Sequence, residues 1–320
     1  MTAAHAIAKR PVPEQTVKTR ASETAPALSI LTPFFRDDPV PLMRKLARVH
    51  ACHNVELILV SDGGSAAATI ARVVTAAEAL PFAVTLIVFE KNQGRAIARN
   101  RLIEEARGRH VLFLDADMAP IGEDFVDCWL DMIAAENPAV AFGGFSVDAI
   151  VHPDARVHHG MSTASECLSA AERARDPAQF LATSNLLVRR DVLASTPFDD
   201  GFVGWGWEDV DWALRAAHRA HIMHVDIPAI HKGLDTVETL LRKYTEAGPN
   251  YGRLAQKHPS QVRQFRSYRA ARALSFLPGL TNLRAILSWF ARDPFGVTPL
   301  RARCAALRLY RSAIYAEHLP

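Results

Sequence analysis

The segment GWGWEDVDW, residues 204–212, places two tryptophans directly before a cluster of carboxylates. The tryptophans are Trp205 and Trp207, and the carboxylates belong to Glu208, Asp209 and Asp211. Indole rings are unfavourable in water, and carboxylates are unfavourable in an apolar interior unless they are paired. The segment therefore predicts either a helix start that is aromatic by chance, or the floor of a site that needs apolar walls around an acid or base.

A second acidic pair, Asp115 and Asp117, follows the apolar run HVLFL. On an extended backbone, side chains two residues apart project to the same side. Two like charges that close favour a cation between them, and Mg²⁺ or Mn²⁺ accepts carboxylate and phosphate oxygens together. The alternative is one helix-capping acid and one solvated acid, and the pair alone does not distinguish these two cases.

Short apolar runs alternate with amphipathic segments from Ala27 onwards, which predicts an α/β domain with a largely parallel sheet. Four runs predict strands that are buried on both faces: LSIL, VELILV, AVTLIVF and HVLFLDAD. The segments that start near Pro41, Ala66, Gly94 and Glu123 predict the helices between them. In open sheets of this kind, ligands bind beyond the carboxyl ends of the strands.

Polar residues follow each of the four predicted strands. The segments are TPFFR (32–36), SDGGS (61–65), KNQGRAIARN (91–100) and DADM (115–118). Aspartate and glycine after a single strand are usually turn residues, and Asp62 on its own fits that interpretation. Four such segments in succession instead indicate a binding site along the carboxyl edge of the sheet.

Taken together, the motifs resemble those of family 2 glycosyltransferases, which have the GT-A fold. The segments that carry the resemblance occur in the family's order and approximate spacing across most of residues 27–251: LSILTPFFR, LILVSDGGS, KNQGRAIARN, VLFLDADM, ATSNLLVRRDVL and FDDGFVGWGWEDVDWALR. The last segment is most similar to the branch with a G-W-G-x-E-D motif, which chondroitin-polymerase-like and galactosyltransferase-like domains share. The resemblance implies a Rossmann-like, mostly parallel sheet flanked by helices.

The resemblance also implies roles for individual residues on the donor side of the site. Those expected to hold the nucleotide base and ribose are Thr32, Phe34 and Asp62. Those expected to line the diphosphate are Asn92, Gly94 and Arg99, and an arginine suits a phosphate ligand. The metal, Mn²⁺ or Mg²⁺, is expected on Asp117, Asp115 and His231, and Asp115 is also expected to face the donor. The role of His231 is inferred only from its spacing behind the E-D motif.

The same resemblance addresses the question that the GWGWED segment raises. Inverting glycosyl transfer needs a base that takes the proton of the acceptor hydroxyl, and Asp209 matches that base. Glu208 is expected to hold the donor or acceptor sugar, and Trp205 and Trp207 to offer it flat apolar faces. Asp211 falls in the first helical turn, where an acid stabilises the helix dipole. Trp207 replaces a glycine that is common in the family, which predicts a narrower or differently shaped acceptor cleft.

The expected reaction moves a sugar from a nucleotide-diphosphate donor, most commonly a UDP-sugar, to a hydroxyl of a glycan or lipid-linked acceptor. Two other classes stay open. A sugar nucleotidyltransferase also places acids and a metal at strand ends, but LTPFFRDD lacks the glycine that such enzymes carry there. A catalytically inactive nucleotide-sugar-binding domain is expected to lose the D-x-D or E-D pair, and both pairs are present. His158 and His159 match no motif and are predicted to be loop residues.

Composition fits a folded enzyme that stays in the cytosol. The chain has 320 residues, of which 49% are hydrophobic, so it can bury a substantial core. The four cysteines form no C-x-x-C pair, which predicts reduced thiols. No apolar run reaches the ~18 residues of a membrane-spanning helix, and the first residues lack the apolar core of a secretory signal. Residues 1–26 are predicted to be a flexible tail, and residues 27–256 the catalytic domain.

Residues 257–320 are expected to form a basic helical extension, since they carry eleven lysines or arginines against two acids. Residues 1–256 have a net charge of −6. One apolar helical face is predicted from Leu283, Ile286, Leu287 and Phe290, and another from Leu300, Cys304, Leu307 and Ile314. These helices either pack on the catalytic domain or a second copy, or contact an anionic membrane from its cytoplasmic side. Nucleic acid is not expected, because no binding motif for it is present.

Overall fold

The computed structural model describes residues 13–20, 24–149 and 151–320. Its strands are β1 (Glu14–Lys18), β2 (Leu28–Phe34), β3 (Val55–Ser61), β4 (Ala83–Phe89), β5 (His110–Leu114), β6 (Met118–Pro120), β7 (Val140–Phe142), β8 (Phe145–Val147), β9 (Asn185–Arg189), β10 (Ile222–His224) and β11 (Ala229–His231). Its helices are α1 (Val40–Leu46), α2 (Ala67–Glu78), α3 (Arg95–Glu105), α4 (Phe125–Glu136), α5 (Arg156–Ser165), α6 (Ala170–Arg173), α7 (Arg190–Ser195), α8 (Glu208–Ala216), α9 (Val237–Lys257), α10 (Pro259–Val262), α11 (Arg266–Leu274), α12 (Leu280–Arg292) and α13 (Leu300–Ala316).

An eight-stranded mixed sheet of order β1-β4-β3-β2-β5-β9-β7-β10 forms the centre of the protein. The strands β4, β3, β2 and β5 are parallel neighbours. β9 runs antiparallel to both β5 and β7, and β1 runs antiparallel to β4. The four predicted strands and the helices that connect them are confirmed, and they form the parallel half of the sheet.

Helices cover both faces of the sheet, and the strand residues alternate between two apolar cores. In β3, Ile58 and Val60 pack into the core beneath α3, α8 and α9. Leu57 and Leu59 pack into the other core, beneath α1, α2 and α4. Because both faces are buried, the strand reads as a continuous apolar run instead of an alternating one. This burial explains why these strands are recognisable in the sequence.

The edge strand β1 lies inside the segment predicted to be a flexible tail, so the prediction is wrong for this stretch. It pairs with β4 over five residues, and Arg101 of α3 binds Glu14 at 2.8 Å. The open edge of a sheet offers unpaired backbone groups, and a charged strand can satisfy them. Within the predicted tail, residues 1–12 and 21–23 lie outside the described residues.

The carboxyl-terminal helices pack on the α/β domain. Leu307, Ile314 and Tyr315 of α13 are fully buried, and Cys304 lies against α5. Apart from Leu300, which is exposed, the predicted second apolar face therefore belongs to the protein interior. The four cysteines are free, as predicted. Within the described part of the chain, no helix is long and apolar enough to cross a membrane.

Candidate active site

A cleft of about 1080 Å³ lies at the carboxyl ends of the parallel strands. It brings together seven residues that the sequence singles out: Arg99, Asp115, Asp117, Trp205, Trp207, Asp209 and His231. Four separate parts of the chain supply them, namely α3, the turn after β5, the segment that leads into α8, and the end of β11. These side chains therefore share one cavity although more than one hundred residues separate the first from the last.

A small second sheet positions His231 beside Asp117. β11 pairs antiparallel with β6, and the register sets His231 opposite Met118. The Lys232 amide donates to the Asp117 carbonyl at 2.9 Å, and His231 Nε2 lies 3.2 Å from Asp117 Oδ2. A Cβ atom on Gly233 would approach Asp117 Oδ2 to 1.9 Å, so this position accepts only glycine without displacement. The glycine in AIHKG thus acquires a role that its sequence context does not reveal.

The two groups of this pair stabilise each other's charged forms. Burial opposes ionisation of Asp117, but the hydrogen bond and charge of His231 outweigh it and hold the pKa of Asp117 below its usual value. Burial likewise opposes the charge of His231, but the hydrogen bond and negative charge of Asp117 outweigh burial and raise the pKa of His231.

Within the described residues, no group of three or more histidine, cysteine or acidic side chains is arranged to hold a metal.

Asp115 faces Arg99 instead of joining the Asp117 pair. Its Oδ1 lies 3.8 Å from Arg99 Nη2. Burial raises the pKa of Asp115, while the neighbouring arginines oppose that rise and Asp117 adds to it. The D-x-D motif therefore divides its two carboxylates between an arginine and a histidine.

Asp62 holds together the loops that follow β3 and β4. Its carboxylate accepts hydrogen bonds from the Gln93 amide at 2.7 Å, the Gly94 amide at 3.1 Å and Asn92 Nδ2 at 3.0 Å. Burial raises its pKa, although these backbone hydrogen bonds oppose the rise. A Cβ on Gly63, which has φ of +74°, would lie 2.4 Å from the Asn92 nitrogen, so glycine is required for the close approach. The carboxylate keeps acceptor capacity for one further hydrogen bond.

The structure places the side chains of Thr32 and Phe34 in the core, and the assignment of these residues to the nucleotide stays a prediction. Both are almost completely buried, and Phe34 packs between the sheet and the helices on that face. The next residue, Phe35, has 40% of its surface exposed and lies beside Gly64. The motif TPFFR contains adjacent aromatic residues, and Phe35 is the accessible one because it lies in the bend after β2, whereas Phe34 is the last residue of the buried strand.

A buried ion pair joins α3 to the start of α8. Arg99 Nη1 donates to Glu208 Oε1 at 2.8 Å, and both side chains are less than 5% exposed. Arg95, one turn earlier on α3, has a side chain that is 44% exposed and lies 3.9 Å from the same carboxylate oxygen. Glu208 is therefore directed at Arg99, and its predicted contact with a sugar stays a prediction. Arg95, which lines the cleft, was not identified from the sequence.

The neighbouring carboxylate, Asp209, lines the cleft and has an altered acidity. Burial and the negative charge of Glu208 raise the pKa of Asp209 to about 7, although Arg99 opposes the shift. Its Oδ1 accepts a hydrogen bond from the Val210 amide at 2.8 Å. A carboxyl group with a pKa near neutrality can accept a proton from a reacting hydroxyl and release it again.

The loop before α8 contains residues with positive φ angles, and a hydrogen-bonding residue of α9 holds this loop in place. Gly204 and Gly206 have φ of +80° and +94°, and Trp207 has φ of +75° at the helix N-cap. Asn250 Nδ2 of α9 donates to the Val203 carbonyl at 3.0 Å and the Gly206 carbonyl at 3.1 Å. Asn250 thus secures an otherwise strained turn. No sequence motif points to it.

Both tryptophans are attached to aromatic residues of the later helices. Trp207 Nε1 donates to the Tyr315 hydroxyl at 3.1 Å, and its ring centroid lies 4.8 Å from that of Tyr251. Trp205 lies 6.2 Å from Tyr244 by ring centroids. Both tryptophans are partly exposed to the cleft. The large residue at 207 is therefore accommodated by α9 and α13, which form one wall of the cleft.

Asp211 lies in the first turn of α8, as predicted, whereas the adjacent histidines at 158 and 159 differ from their predicted setting. Asp211 is fully buried and binds Lys257 at 2.6 Å and His258 at 2.9 Å, so it anchors the end of α9 in addition to any effect on the helix dipole. His158 and His159 lie within α5 and not in a loop. The His158 ring accepts a hydrogen bond from the Asp235 amide at 2.7 Å and packs near His231, so it supports the β11 end of the site.

A mixed sheet with a D-x-D turn at the edge of its parallel half, facing an E-D helix start, defines a GT-A type of transferase. Solved structures share this fold. The mannosyltransferase PcManGT from Pyrobaculum calidifontis, in complex with GDP-Man and Mn²⁺, has a TM-score of 0.58 at 14% identity, over 97% of this chain and 91% of that chain. S. aureus TarS 1–349 in complex with UDP has a TM-score of 0.53 at 15% identity, over 91% of this chain and 90% of that chain.

The sequence model of glycosyl transferase family 2 matches residues 29–195, and the chain belongs to this family. The predicted family and fold are therefore confirmed, and the protein is a glycosyltransferase. A curated relative, the putative teichuronic acid biosynthesis glycosyltransferase TuaG of Bacillus subtilis (strain 168), is 35% identical over 66 residues. That match spans 21% of this chain and 26% of the relative. The GWGWED segment lies beyond the matched family region, so its assignment to a branch stays a prediction.

Proposed function

We propose that the protein is an inverting, metal-dependent glycosyltransferase that moves a sugar from a UDP-sugar to a hydroxyl of a glycan or lipid-linked acceptor. The observation that carries this proposal is the position of Asp209, with its pKa of about 7, in the same cleft as the Asp117 and His231 pair. A single displacement at the anomeric carbon needs a base on the acceptor side and neutralisation on the leaving-group side. The cleft supplies Asp209 for the first role, and the Asp117 and His231 pair for the second.

Asp209 is the group that we assign as the general base. Its carboxylate accepts the proton of the acceptor hydroxyl while the oxygen attacks the sugar carbon. Glu208 raises the basicity of Asp209 without reaching the cleft, and Arg99 holds Glu208 in that position. Since the attack and the departure of the leaving group occur on opposite faces of the carbon, the product has the opposite anomeric configuration to the donor.

Asp117 and His231 fit a divalent ion that is shared with the donor. Mg²⁺ and Mn²⁺ are usually held in transferases by one or two protein ligands together with substrate phosphate oxygens, and this pair supplies a carboxylate and an imidazole. The similar fold of PcManGT was solved with GDP-Man and Mn²⁺, which agrees with this assignment. When bound, the ion neutralises the charge of the departing nucleoside diphosphate. Arg95, at the open start of α3, adds positive charge on the same side.

The nucleotide is assigned to the loops that Asp62 joins. Asp62 retains one acceptor position for the base or ribose, and Asn92 and Gly94 hold the neighbouring loop against it. Gly94 has open space where a side chain would start and precedes the amino terminus of α3, where backbone amides favour an anion. Phe35 is exposed and provides an accessible aromatic face, whereas Phe34 is buried. TarS was solved with UDP, which supports a uridine donor.

We also propose that the enzyme contacts an anionic membrane through an apolar ridge on α12 and its flanking loops. The ridge consists of eight exposed apolar side chains: Phe276, Leu277, Ile286, Trp289, Phe290, Phe295, Val297 and Leu300. Arg272 lies 4.6 Å from the Phe276 ring, and Arg301 is exposed at the start of α13. Aromatic side chains enter the headgroup boundary, and nearby arginines attract anionic lipid by ~1 kcal/mol each. Of the two predicted apolar faces, the one on α13 is buried except at Leu300, and the one on α12 contributes Ile286 and Phe290 to this ridge.

Liposome sedimentation tests the ridge. The wild-type protein is expected to bind more strongly as anionic lipid increases and less strongly as salt increases. Replacing both Trp289 and Phe290 by Ser should abolish binding, whereas Val203→Ser, which changes an even more exposed apolar residue elsewhere, should not. Equal recovery of wild type with and without anionic liposomes refutes the membrane contact. If the wild type and Val203→Ser form dimers and the ridge variant does not, the ridge is assigned to a contact with a second copy.

The reaction itself is tested by incubating the enzyme with UDP-sugars and Mn²⁺ and following the products. Slow release of UDP is expected, whereas formation of UTP and sugar 1-phosphate after addition of pyrophosphate would instead indicate a sugar nucleotidyltransferase. Asp209→Asn should bind UDP as wild type does and lower turnover by about 10² to 10⁴, the usual contribution of a positioned base. Proton NMR of the first product should show an inverted anomeric configuration. Nucleotide-sugar binding without any turnover would assign an inactive binding domain, and a retained configuration would refute the single displacement.

A further inference from the structure

One arm of the cleft is lined by five arginines that the proposed reaction does not use. They are Arg175, Arg266, Arg269, Arg308 and Arg311, and we name this set the basic arm. We infer that the basic arm binds an anionic group, a phosphate or a carboxylate, that the acceptor carries next to the sugar it presents. The inference rests on the proposed glycosyl transfer, because it concerns the acceptor of that reaction.

The arm is built where two carboxyl-terminal helices meet. Arg266 and Arg269 lie in the first turn of α11, and Arg308 and Arg311 lie in the middle of α13. Residues three apart share a helix face, so each helix directs two guanidinium groups to the same side. Because α11 packs against α13, the two pairs are brought to one region of the cleft. Arg175 adds a fifth from the segment after α6.

These arginines lack the ionic partners that the protein provides for many of its other basic side chains. In the described ranges, none of the five has a carboxylate oxygen within 4.0 Å, although Arg253 and Lys257 of the nearby α9 both bind Asp199. The Nε of Arg311 is buried and has no hydrogen-bond partner. Unpaired guanidinium groups that surround a cavity repel one another, and an anion removes that repulsion.

The acidic residues of this arm are engaged by neighbours. Glu166 accepts a hydrogen bond from Ser162 Oγ at 2.7 Å, and Glu172 forms a capping box with Ser169 at the start of α6. They reduce the positive charge of the arm without cancelling it, since two acids face five arginines. The net charge of this part of the cleft is therefore positive.

The arm adjoins the acceptor side of the site. Arg311 lies 5.4 Å from the centroid of the Tyr244 ring, and Tyr244 is the neighbour of Trp205. The Tyr251 hydroxyl lies 3.1 Å from Ser267 Oγ, next to Arg266, and Tyr251 packs on Trp207. An acceptor whose hydroxyl lies at Asp209 passes these tryptophans, so its next groups reach the arm. The donor is assigned instead to the loops after β2, β3, β4 and β5.

Either a phosphate or a carboxylate suits guanidinium groups, since both form paired charge-assisted hydrogen bonds with arginine. The phosphate belongs to a lipid carrier, and the carboxylate to an acidic sugar of a growing chain. Two probes distinguish these sources: farnesyl diphosphate, a short lipid diphosphate, and tri-galacturonate, an acidic oligosaccharide. Maltotriose serves as the neutral oligosaccharide.

Binding of each probe is measured by calorimetry on the full-length enzyme with saturating UDP and Mn²⁺, so that the donor site is occupied. At least one anionic probe is expected to bind, and maltotriose is expected to bind at least tenfold more weakly. Arg266→Gln and Arg308→Gln should each weaken the anionic probe by roughly tenfold, the usual cost of a lost charge-assisted hydrogen bond. Arg263→Gln, an exposed residue outside the cleft with the same change of charge, should leave binding unchanged.

The affinity for UDP is measured in the same variants to keep the two sites separate. Unchanged UDP affinity is expected, and a loss that parallels the probe would place the arm at the donor and overturn the inference. Equal binding of maltotriose, absence of binding by both anionic probes, or equal weakening by Arg263→Gln would also overturn it. UDP release from a UDP-sugar without any probe tests the proposed reaction separately, so the two failures are distinguishable.

Discussion

Replacing Glu208 by glutamine is expected to shift the pH dependence of the reaction to lower pH. Burial and the charge of Glu208 together raise the pKa of Asp209 to about 7. A general base acts only when it is deprotonated, so the rate should increase with pH up to this value and then level off. Glutamine removes the negative charge but keeps an oxygen that can accept from Arg99, so one of the two causes of the shift disappears while the hydrogen bond to α3 is retained.

The magnitude follows from the ionised fraction of the base. At pH 5, a carboxyl group with a pKa of about 7 is about 1% ionised, whereas one with the usual aspartate pKa of ~3.9 is about 93% ionised. The wild-type rate should therefore fall about 100-fold between pH 8 and pH 5. The fall should be smaller in Glu208→Gln, because its Asp209 remains ionised at lower pH.

The assay is UDP release from a UDP-sugar at saturating donor and saturating Mn²⁺, between pH 5 and pH 8. Excess metal limits the contribution of His231, whose raised pKa also opposes metal binding at low pH. Glu104→Gln, an exposed change of the same charge on α3, is the control and should keep the wild-type profile. A wild-type rate that is flat over this range, or a midpoint that is the same in Glu208→Gln, would refute the argument.

Three further substitutions test the geometry of the site. Asp117→Ala should abolish turnover and markedly weaken nucleotide-sugar binding in Mn²⁺, and unchanged metal-dependent affinity by calorimetry would contradict the metal assignment. Gly233→Ala should weaken Mn²⁺-dependent binding with little loss of folded structure, because its methyl group meets Asp117 Oδ2 at 1.9 Å; wild-type affinity would show that the loop moves freely. Asn250→Ala should lower the free energy of unfolding by about 1 to 3 kcal/mol, since it leaves carbonyls of the loop before α8 without a donor, and denaturant titration measures this.

The sequence alone determined the parallel half of the sheet and singled out seven of the residues that line the cleft. Strands that are buried on both faces need continuous apolar residues, so β2 to β5 are visible as runs, and the polar residues after them fall at one edge by the topology of the fold. The motifs D-x-D and G-W-G-x-E-D identify Asp117 and Asp209, because the order of residue types within each motif is characteristic. These features depend on residues that are close in the chain.

The tertiary structure decided which side chains face the cleft and what holds them there. Phe34 and Phe35 are equivalent in sequence, but Phe34 ends β2 and is buried, whereas Phe35 lies in the bend after the strand and is exposed. The hydrogen bond from Trp207 to Tyr315 joins residues 108 positions apart, and no local pattern encodes it. The edge strand β1 and the basic arm likewise depend on partners distant in the chain. Such contacts form only when the helices and strands pack together, because their energy comes from burial and charge pairing between segments and not from local propensity.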